Sequence, residues 1–314
     1  MGQSKKTRYY LDLRTDYGFK YVLGENKELL ISLLNEFLHD IIEKITDVVY
    51  LPTEQLGFNT KEKKIVFDLY CEDQSLNRIV IEMQRKELDY YVNRILYYMS
   101  RSLSKSVKRG DLKYRMQKSL SLHLLDYKSV WFERNRELVQ IIQLKDNKNR
   151  IFSEKVSIVL VNLCIFAARK KMVTFPGVQH KWVYLLKNMR KMTLEDEARE
   201  TDPIFRKLYE VSRLSNLNTE EMEEYRKSVL EYEDVQNAIE CASRKSEARG
   251  EARGRKAGLA EGEARGRKAG LAEGEASAKR VMAFEMLKKG IPHSLVSEIS
   301  GLSDQEVLAL AKES

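Results

Sequence analysis

The alternation of apolar and polar positions marks out most of the elements of this chain. From Lys63 to Glu87 it reads KKIVFDLYCEDQSLNRIVIEMQRKE, two runs of period two joined by a short polar turn, which predicts a β-hairpin. Side chains two apart share a face. Ile65, Phe67, Leu69 and Cys71 are therefore expected on one side and Val66, Asp68 and Tyr70 on the other, with Ile79, Ile81 and Met83 parted from Val80, Glu82 and Gln84 in the same way. Upstream, TDYGFKYVLGENKELLISLLNEFLHDIIEKI places Leu30, Leu34, Phe37, Ile41 and Ile45 at helical spacing. Leu29, Leu33, Leu38 and Ile42 widen that stripe, so the helix should be mostly buried. ITDVVYL is a short strand interrupted by Pro52. DYYVNRILYYMSRSLSKSVKRG reads as a helix stopped by Gly110, with Val92, Ile95, Leu96, Met99 and Leu103 inward. KSLSLHLLDY and VSIVLVNLCIF are strands, the second apolar enough for a sheet interior, with an exposed hairpin expected between Trp131 and Arg150.

This order of helix, strands, helix and strands predicts an α/β core over residues 1–170. A helical extension should follow over 171–243, with Trp182, Leu185, Leu186 and Met189 on one helix and Ile204, Phe205, Leu208 and Val211 on the next. Residues 244–280 contain EARGRKAGLAEG twice without change, from Glu251 and from Glu263, and glycine recurs every fourth residue from Gly250 to Gly274. A glycine inside a helix costs about 1 kcal/mol relative to alanine, and each repeat offers a single Leu in return, so a marginal helix or tether is expected. Residues 281–314 resume ordinary patterning: Gly290 stops a helix, Pro292 begins another, and Ser303 with Glu306 caps a last one. That is a helix-turn-helix-like module. Its mild acidity weakens a DNA-reading role and leaves partner binding or homo-oligomerisation through the C-terminal helices equally open.

Charge adds a location. The chain of 314 residues carries a formal net charge of +8, but residues 85–118 alone hold an excess of +7 and residues 244–280 an excess of +5. Clustered Lys and Arg suit a polyanionic partner, whereas a solvated helix face would show the same composition. Cys71, Cys164 and Cys241 are scattered and odd in number, and His39, His123, His180 and His293 lack ligand spacing, so neither disulfides nor a zinc site is indicated. No apolar run is long enough to cross a bilayer and no secretion signal is evident, which makes the cytoplasm the expected location.

Chemistry is carried by the hairpin. A carboxylate stands in each run, Asp68 and Glu82, with the Gln84 amide one pleat beyond. A wet sheet face would be spelled alike. The next helix adds a polar stripe of Arg94, Tyr98, Arg101, Lys105 and Lys108, so groups that hold a hard cation are followed by groups that hold phosphate.

Asp68 followed after thirteen residues by Glu82-Met83-Gln84 resembles the signature of the PD-(D/E)XK nuclease superfamily. Together with TDYGFKYVLG (Asp16, Phe19, Lys20, Gly24), SLLNEFL, RILYYMSR, the Trp182 helix and DPIF at Asp202, it resembles the recombination-promoting nuclease and transposase branch of that superfamily. The resemblance implies a restriction-endonuclease-like mixed sheet flanked by helices and a Mg²⁺- or Mn²⁺-dependent endonuclease acting on DNA. It also implies that Asp68, Glu82 and the Met83 carbonyl hold the metal, that Gln84 replaces the usual Lys, and that Asp16 is a further acid or a helix N-terminal residue. Lys20, Arg94, Arg101, Lys105 and Lys108 are the expected DNA contacts. The alternative is a DNA-binding or oligomerising regulatory protein that keeps the fold and cleaves little.

Overall fold

The computed structural model describes residues 8–55, 65–107, 113, 115–132, 137–166 and 175–312. It divides into two units, residues 1–234 and 235–314.

In the first unit the strands are β1 (Val48–Tyr50), β2 (Glu54–Gln55), β3 (Ile65–Val66), β4 (Leu69–Asp73), β5 (Arg78–Gln84), β6 (Ser119–Leu125), β7 (Val139–Lys145) and β8 (Ile151–Asn162). Six of them form one mixed sheet in the order β1-β4-β5-β6-β8-β7, and β2 pairs with β3 apart from it. β5, β6 and β8 run parallel, while β1 against β4, β4 against β5 and β7 against β8 are antiparallel. The expected strands from KSLSLHLLDY and VSIVLVNLCIF are thus sheet-interior strands. The hairpin expected between Trp131 and Arg150 is β7 turning into β8.

The helices are α1 (Asp16–Gly24), α2 (Lys27–Leu38), α3 (Tyr91–Ser104), α4 (Val178–Asn188), α5 (Leu194–Ala198), α6 (Pro203–Val211) and the start of α7 (Thr219–Lys288). One sheet face carries Leu69, Cys71, Ile79, Ile81, Leu122 and Val161 against α1, α2, α4, α6 and the first turns of α7 in one continuous core. Trp182 and Phe205, both fully or almost fully buried, meet there with ring centroids 5.2 Å apart, within the range of favourable aromatic pairing. α3 covers the other face, packing Tyr91, Ile95 and Met99 on Leu125, Ile158 and Leu160.

Three sequence expectations are corrected. The helix expected to run through Ile45 is two helices, broken at Glu25 and ended at Leu38. Asn35 explains the return of the chain: its amide accepts from the Ile45 N–H (2.8 Å) and donates to the Ile45 carbonyl (2.9 Å), replacing the helical bonds that Ile45 would have made. The first run of the hairpin is split at Phe67–Asp68 by a bend, so Ile65 and Phe67 pack with Tyr70 and Val80 rather than with Leu69 and Cys71. One irregular residue pair shifts the period-two register and exchanges the faces. On α3 the buried stripe is Tyr91, Ile95 and Met99, whereas Val92 and Leu96 are exposed. That stripe packs on Leu125, Ile158 and Leu160, and the Tyr91 hydroxyl bonds His123 Nδ1 (2.8 Å), contacts that periodicity does not register.

In the second unit α7 continues through the repeat, and α8 (His293–Ser300) and α9 (Asp304–Ala311) pack Val296 and Val307 against Ala283. The repeat is helical and exposed throughout, and among the described residues no atom beyond the adjoining residues and the helix's own local backbone lies within 4 Å of the point where a Cβ would sit on any of its glycines. No close approach within the described residues accounts for them. Gly290, at φ 79°, ends α7 with the Ile291 N–H on the Met286 carbonyl and its own N–H on that of Leu287, a left-handed helix stop that favours glycine. Ser303 and Glu306 form the expected capping box.

Candidate active site

The β4–β5 register pairs Leu69 with Ile81 and Tyr70 with Val80, and one step further sets Asp68 opposite Glu82. Asp68 stands in the bend before β4 and Glu82 within β5. The Met83 N–H donates to Asp68 Oδ2 (2.8 Å), and the Asp68 N–H reaches Glu82 Oε1 (3.4 Å). The bend that breaks the first strand is therefore what frees a backbone donor of β5 to take a side chain instead of a strand partner. Within a strand, the N–H and C=O of one residue leave on the same edge, so the Met83 carbonyl leaves β5 on the Asp68 side.

Glu82 is 2 % exposed. Burial, and next the charge of Asp68, push its carboxyl up to about 8, against the pull of Arg94. Asp68 is likewise raised, chiefly by burial, although the Met83 N–H opposes this. Arg94, from α3, donates through Nη2 to Glu82 Oε2 (3.1 Å) and through Nε to the Tyr98 hydroxyl (2.9 Å), with its guanidinium 5.0 Å from the Tyr98 ring centre. One cation thus faces two acids whose burial favours neutralisation.

Asp68 opens into a cleft of about 750 Å³, which Asp16 and Lys20 of α1 also line. Asp16 is the first residue of α1 and pairs with Lys20 one turn on (2.9 Å). The glycine two residues after Asp16 has a steric cause: a Cβ on Gly18 would lie 2.4 Å from the Asp12 carbonyl oxygen. Gln84 is buried, and its Nε2 donates to the Lys86 carbonyl (2.7 Å).

The remaining expected contacts disperse along α3. Arg101 is buried at 5 % exposure; Lys105 is exposed, and partial desolvation, then the charges of Arg101 and Arg78, lower its pKa. Lys108 lies outside the described residues.

Three features escaped sequence reasoning. His123 is the β6 partner of Glu82, and its ring is held between Tyr91 and Ser121 Oγ (2.9 Å). Burial pushes its pKa down to about 3, so the ring is neutral and structural in effect. A buried ionic network joins Asp12, Arg14, Asp126 and Lys187, with Arg14 on Asp12 at 2.7 Å and the Tyr232 hydroxyl on Asp126 at 3.1 Å. The third is the far wall of the cleft, formed by Glu221, Glu224, Lys227, Ser228 and Glu231 of α7. Each depends on contacts between residues more than thirty positions apart, for which periodicity carries no signal.

Among the described residues no three side chains of His, Cys, Asp or Glu come close enough to hold one metal ion. Two carboxylates and a backbone carbonyl nonetheless fit a hard divalent cation of the Mg²⁺ type, which is held by one or two carboxylates and completes its shell with water and phosphate. The raised carboxyls are the observation in favour, since added positive charge would relieve them.

The mixed sheet, flanked by helices and bearing one acid on β5 and another in the bend that leads into its neighbour β4, has the architecture of a restriction-endonuclease-like α/β protein. Residues 13–242 match the family described as PD-(D/E)XK nuclease family transposase, and the chain belongs to that family. Neither curated proteins nor solved structures gave a match. Among the described residues no helix is long and apolar enough to cross a membrane.

Proposed function

We propose that this protein is a metal-dependent endonuclease that hydrolyses DNA phosphodiester bonds, with Mg²⁺ or Mn²⁺ held by Asp68, Glu82 and the Met83 carbonyl. The observation that carries the reading is the meeting of buried Glu82 on β5 with half-buried Asp68 in the bend before β4, where Asp68 lines an open cleft. A divalent ion there would polarise the scissile phosphoryl group and lower the pKa of bound water. Asp68 is pre-set by its bond from the Met83 N–H, and Glu82 by Arg94. With its Nε2 committed to the Lys86 carbonyl, Gln84 keeps its amide oxygen as the group that would accept from a water bound to the ion. An amide orients but takes no proton. Proton removal then falls to the substrate phosphates or bulk solvent. Asp16, at the mouth of the cleft, is the further acid, and Lys20, Arg94 and Lys105 are the phosphate contacts.

Plasmid DNA incubated with Mg²⁺ and wild type or Glu82→Ala tests the proposal. Nicking by wild type, lost in the variant and in EDTA, is expected; equal nicking by both, or none by wild type, ends it. The Arg94–Glu82 pair favours a second reading, a DNA-binding protein of the same fold in which the guanidinium keeps the ion out. DNA binding without nicking at any Mg²⁺ or Mn²⁺ concentration would select it.

A further inference from the structure

A second pocket, of about 760 Å³, lies against the other face of α7. Met222, Arg226, Val229 and Leu230 line it, whereas the cleft of Asp68 takes Glu221, Lys227, Ser228 and Glu231; the two sets interleave at helical spacing and so fall on different faces. Backbone bonding builds its remaining wall. The Leu11 N–H donates to the Ser212 carbonyl (2.8 Å) and the Leu214 N–H to the Tyr9 carbonyl (2.9 Å), which lays the N-terminal segment along the turn before α7 and brings Arg8 into the lining. Arg190, in the turn after α4, is the third guanidinium there. The single carboxylate of the lining, Glu233, accepts from Arg190 Nη2 (3.0 Å). Three guanidiniums against one carboxylate leave two positive charges. Arg190 Nε is buried without an acceptor, and Arg226 makes no ion pair among the described residues. Between these cations the walls are apolar, with Leu214 and Met222 half-buried and Leu230 61 % exposed. Neither core packing nor ion pairing within the chain accounts for a leucine left in water beside unneutralised guanidiniums.

We infer that this pocket is a binding site for a small phosphate monoester with an apolar body. The inference does not depend on the nuclease reading, because the two pockets share no lining residue. A phosphate monoester carries about −1.5 to −2 charge at neutral pH, which matches the two positive charges left over. Guanidinium forks hold phosphate oxygens in pairs, and the buried Arg190 Nε has a donor to spare. The volume falls within the range of about 300–1,000 Å³ usual for small-molecule sites. Leu214, Met222 and Leu230 supply the surface on which an apolar body is taken out of water. A DNA backbone fits less well, since it offers phosphates and sugars but no apolar group to set against those side chains.

Full-length wild type is titrated calorimetrically in EDTA with naphthyl phosphate, inorganic phosphate and naphthol, beside Arg226→Gln, Leu230→Ser and a control, Lys145→Gln on β7, outside the lining. Arg226 and Leu230 are both exposed, so their replacement leaves the core intact. Wild type should bind naphthyl phosphate about tenfold more tightly than either of its halves. Arg226→Gln should weaken that binding about tenfold through loss of a charge-assisted hydrogen bond. Leu230→Ser should weaken it about threefold through lost apolar contact, and the control should match wild type. A short DNA duplex should fail to displace naphthyl phosphate. Absence of naphthyl phosphate binding overturns the site, and so does inorganic phosphate bound equally well, which would mark an adventitious ion only. Unchanged affinity in either pocket variant overturns it too. Displacement by the duplex would assign the arginines to DNA instead and overturn it as well. Nicking is not read in this titration, so the outcome is separate from that of the plasmid assay.

Discussion

Arg94 is the group whose replacement separates an ion site from an ordinary salt bridge. Its Nη2 lies 3.1 Å from Glu82 Oε2, and the side chains are 30 % and 2 % exposed respectively. Arg94→Met keeps an unbranched apolar stem in place of the arginine methylenes and removes the guanidinium charge. Glu82 then remains buried beside Asp68 without a counter-ion. Breaking a fully buried pair costs about 3–5 kcal/mol, and the partial exposure of Arg94 brings the expectation to about 2 kcal/mol. For a folded unit of this size that corresponds to a fall in Tm of roughly 4–8 °C in EDTA. If the guanidinium occupies the place a cation would take, the variant binds Mn²⁺ more tightly than wild type. Tenfold tighter binding returns about 1.4 kcal/mol at saturating ion. Thermal unfolding of both proteins in EDTA and across a Mn²⁺ series reads both quantities. The expected pattern is a lower Tm in EDTA and a larger rise with Mn²⁺ for the variant. A deficit that Mn²⁺ leaves unchanged, with equal shifts for both proteins, would refute the reasoning, since Arg94 would then be unconnected with ion binding.

Other consequences are as direct. Gly18→Ala places a methyl 2.4 Å from the Asp12 carbonyl oxygen; a loss of about 2–3 kcal/mol is expected in chemical denaturation, and a neutral effect would show that α1 can shift. His123 is buried and neutral, with its pKa pushed down to about 3 from an ordinary 6.5. The unfolded chain therefore binds a proton that the native ring refuses, and stability is lost as pH falls from about 6.5 toward 3; His123→Gln should flatten that limb in unfolding measured from pH 7 to 4, and an unchanged slope would assign it to other groups. A peptide of residues 244–280 should be largely unstructured by circular dichroism, because its glycines cost about 1 kcal/mol each with no packing to offset them. High helicity in the isolated peptide would mean that the charged pairs of the repeat, such as Arg265 on Glu261 at 2.7 Å, outweigh the glycines.

The hairpin and the interior strands were legible because period two is local: Leu69, Cys71, Ile79 and Ile81 need only their own neighbours to reveal a buried face. The pairing of Asp68 with Glu82 was legible for the same reason, since a short turn sets the register of a hairpin. Reading stopped where a single contact overrides a period. The bend at Asp68 moved Phe67 to the opposite face, and the packing of Tyr91, Ile95 and Met99 on the sheet leaves Leu96 facing water while Arg101 is buried.

The sequence alone determined the element types, the carboxylate pair, the basic stretch around α3 and the repeat, all of which depend on residues a few positions apart. Only the tertiary structure decided that Arg94 meets Glu82, that Asp16 shares the cleft of Asp68, and that α7 lines that cleft with glutamates. Those relations join segments as far apart as Asp16 and Glu231. They are settled by how helices and sheet divide the available apolar surface, which is a property of the assembled core and not of any stretch within it.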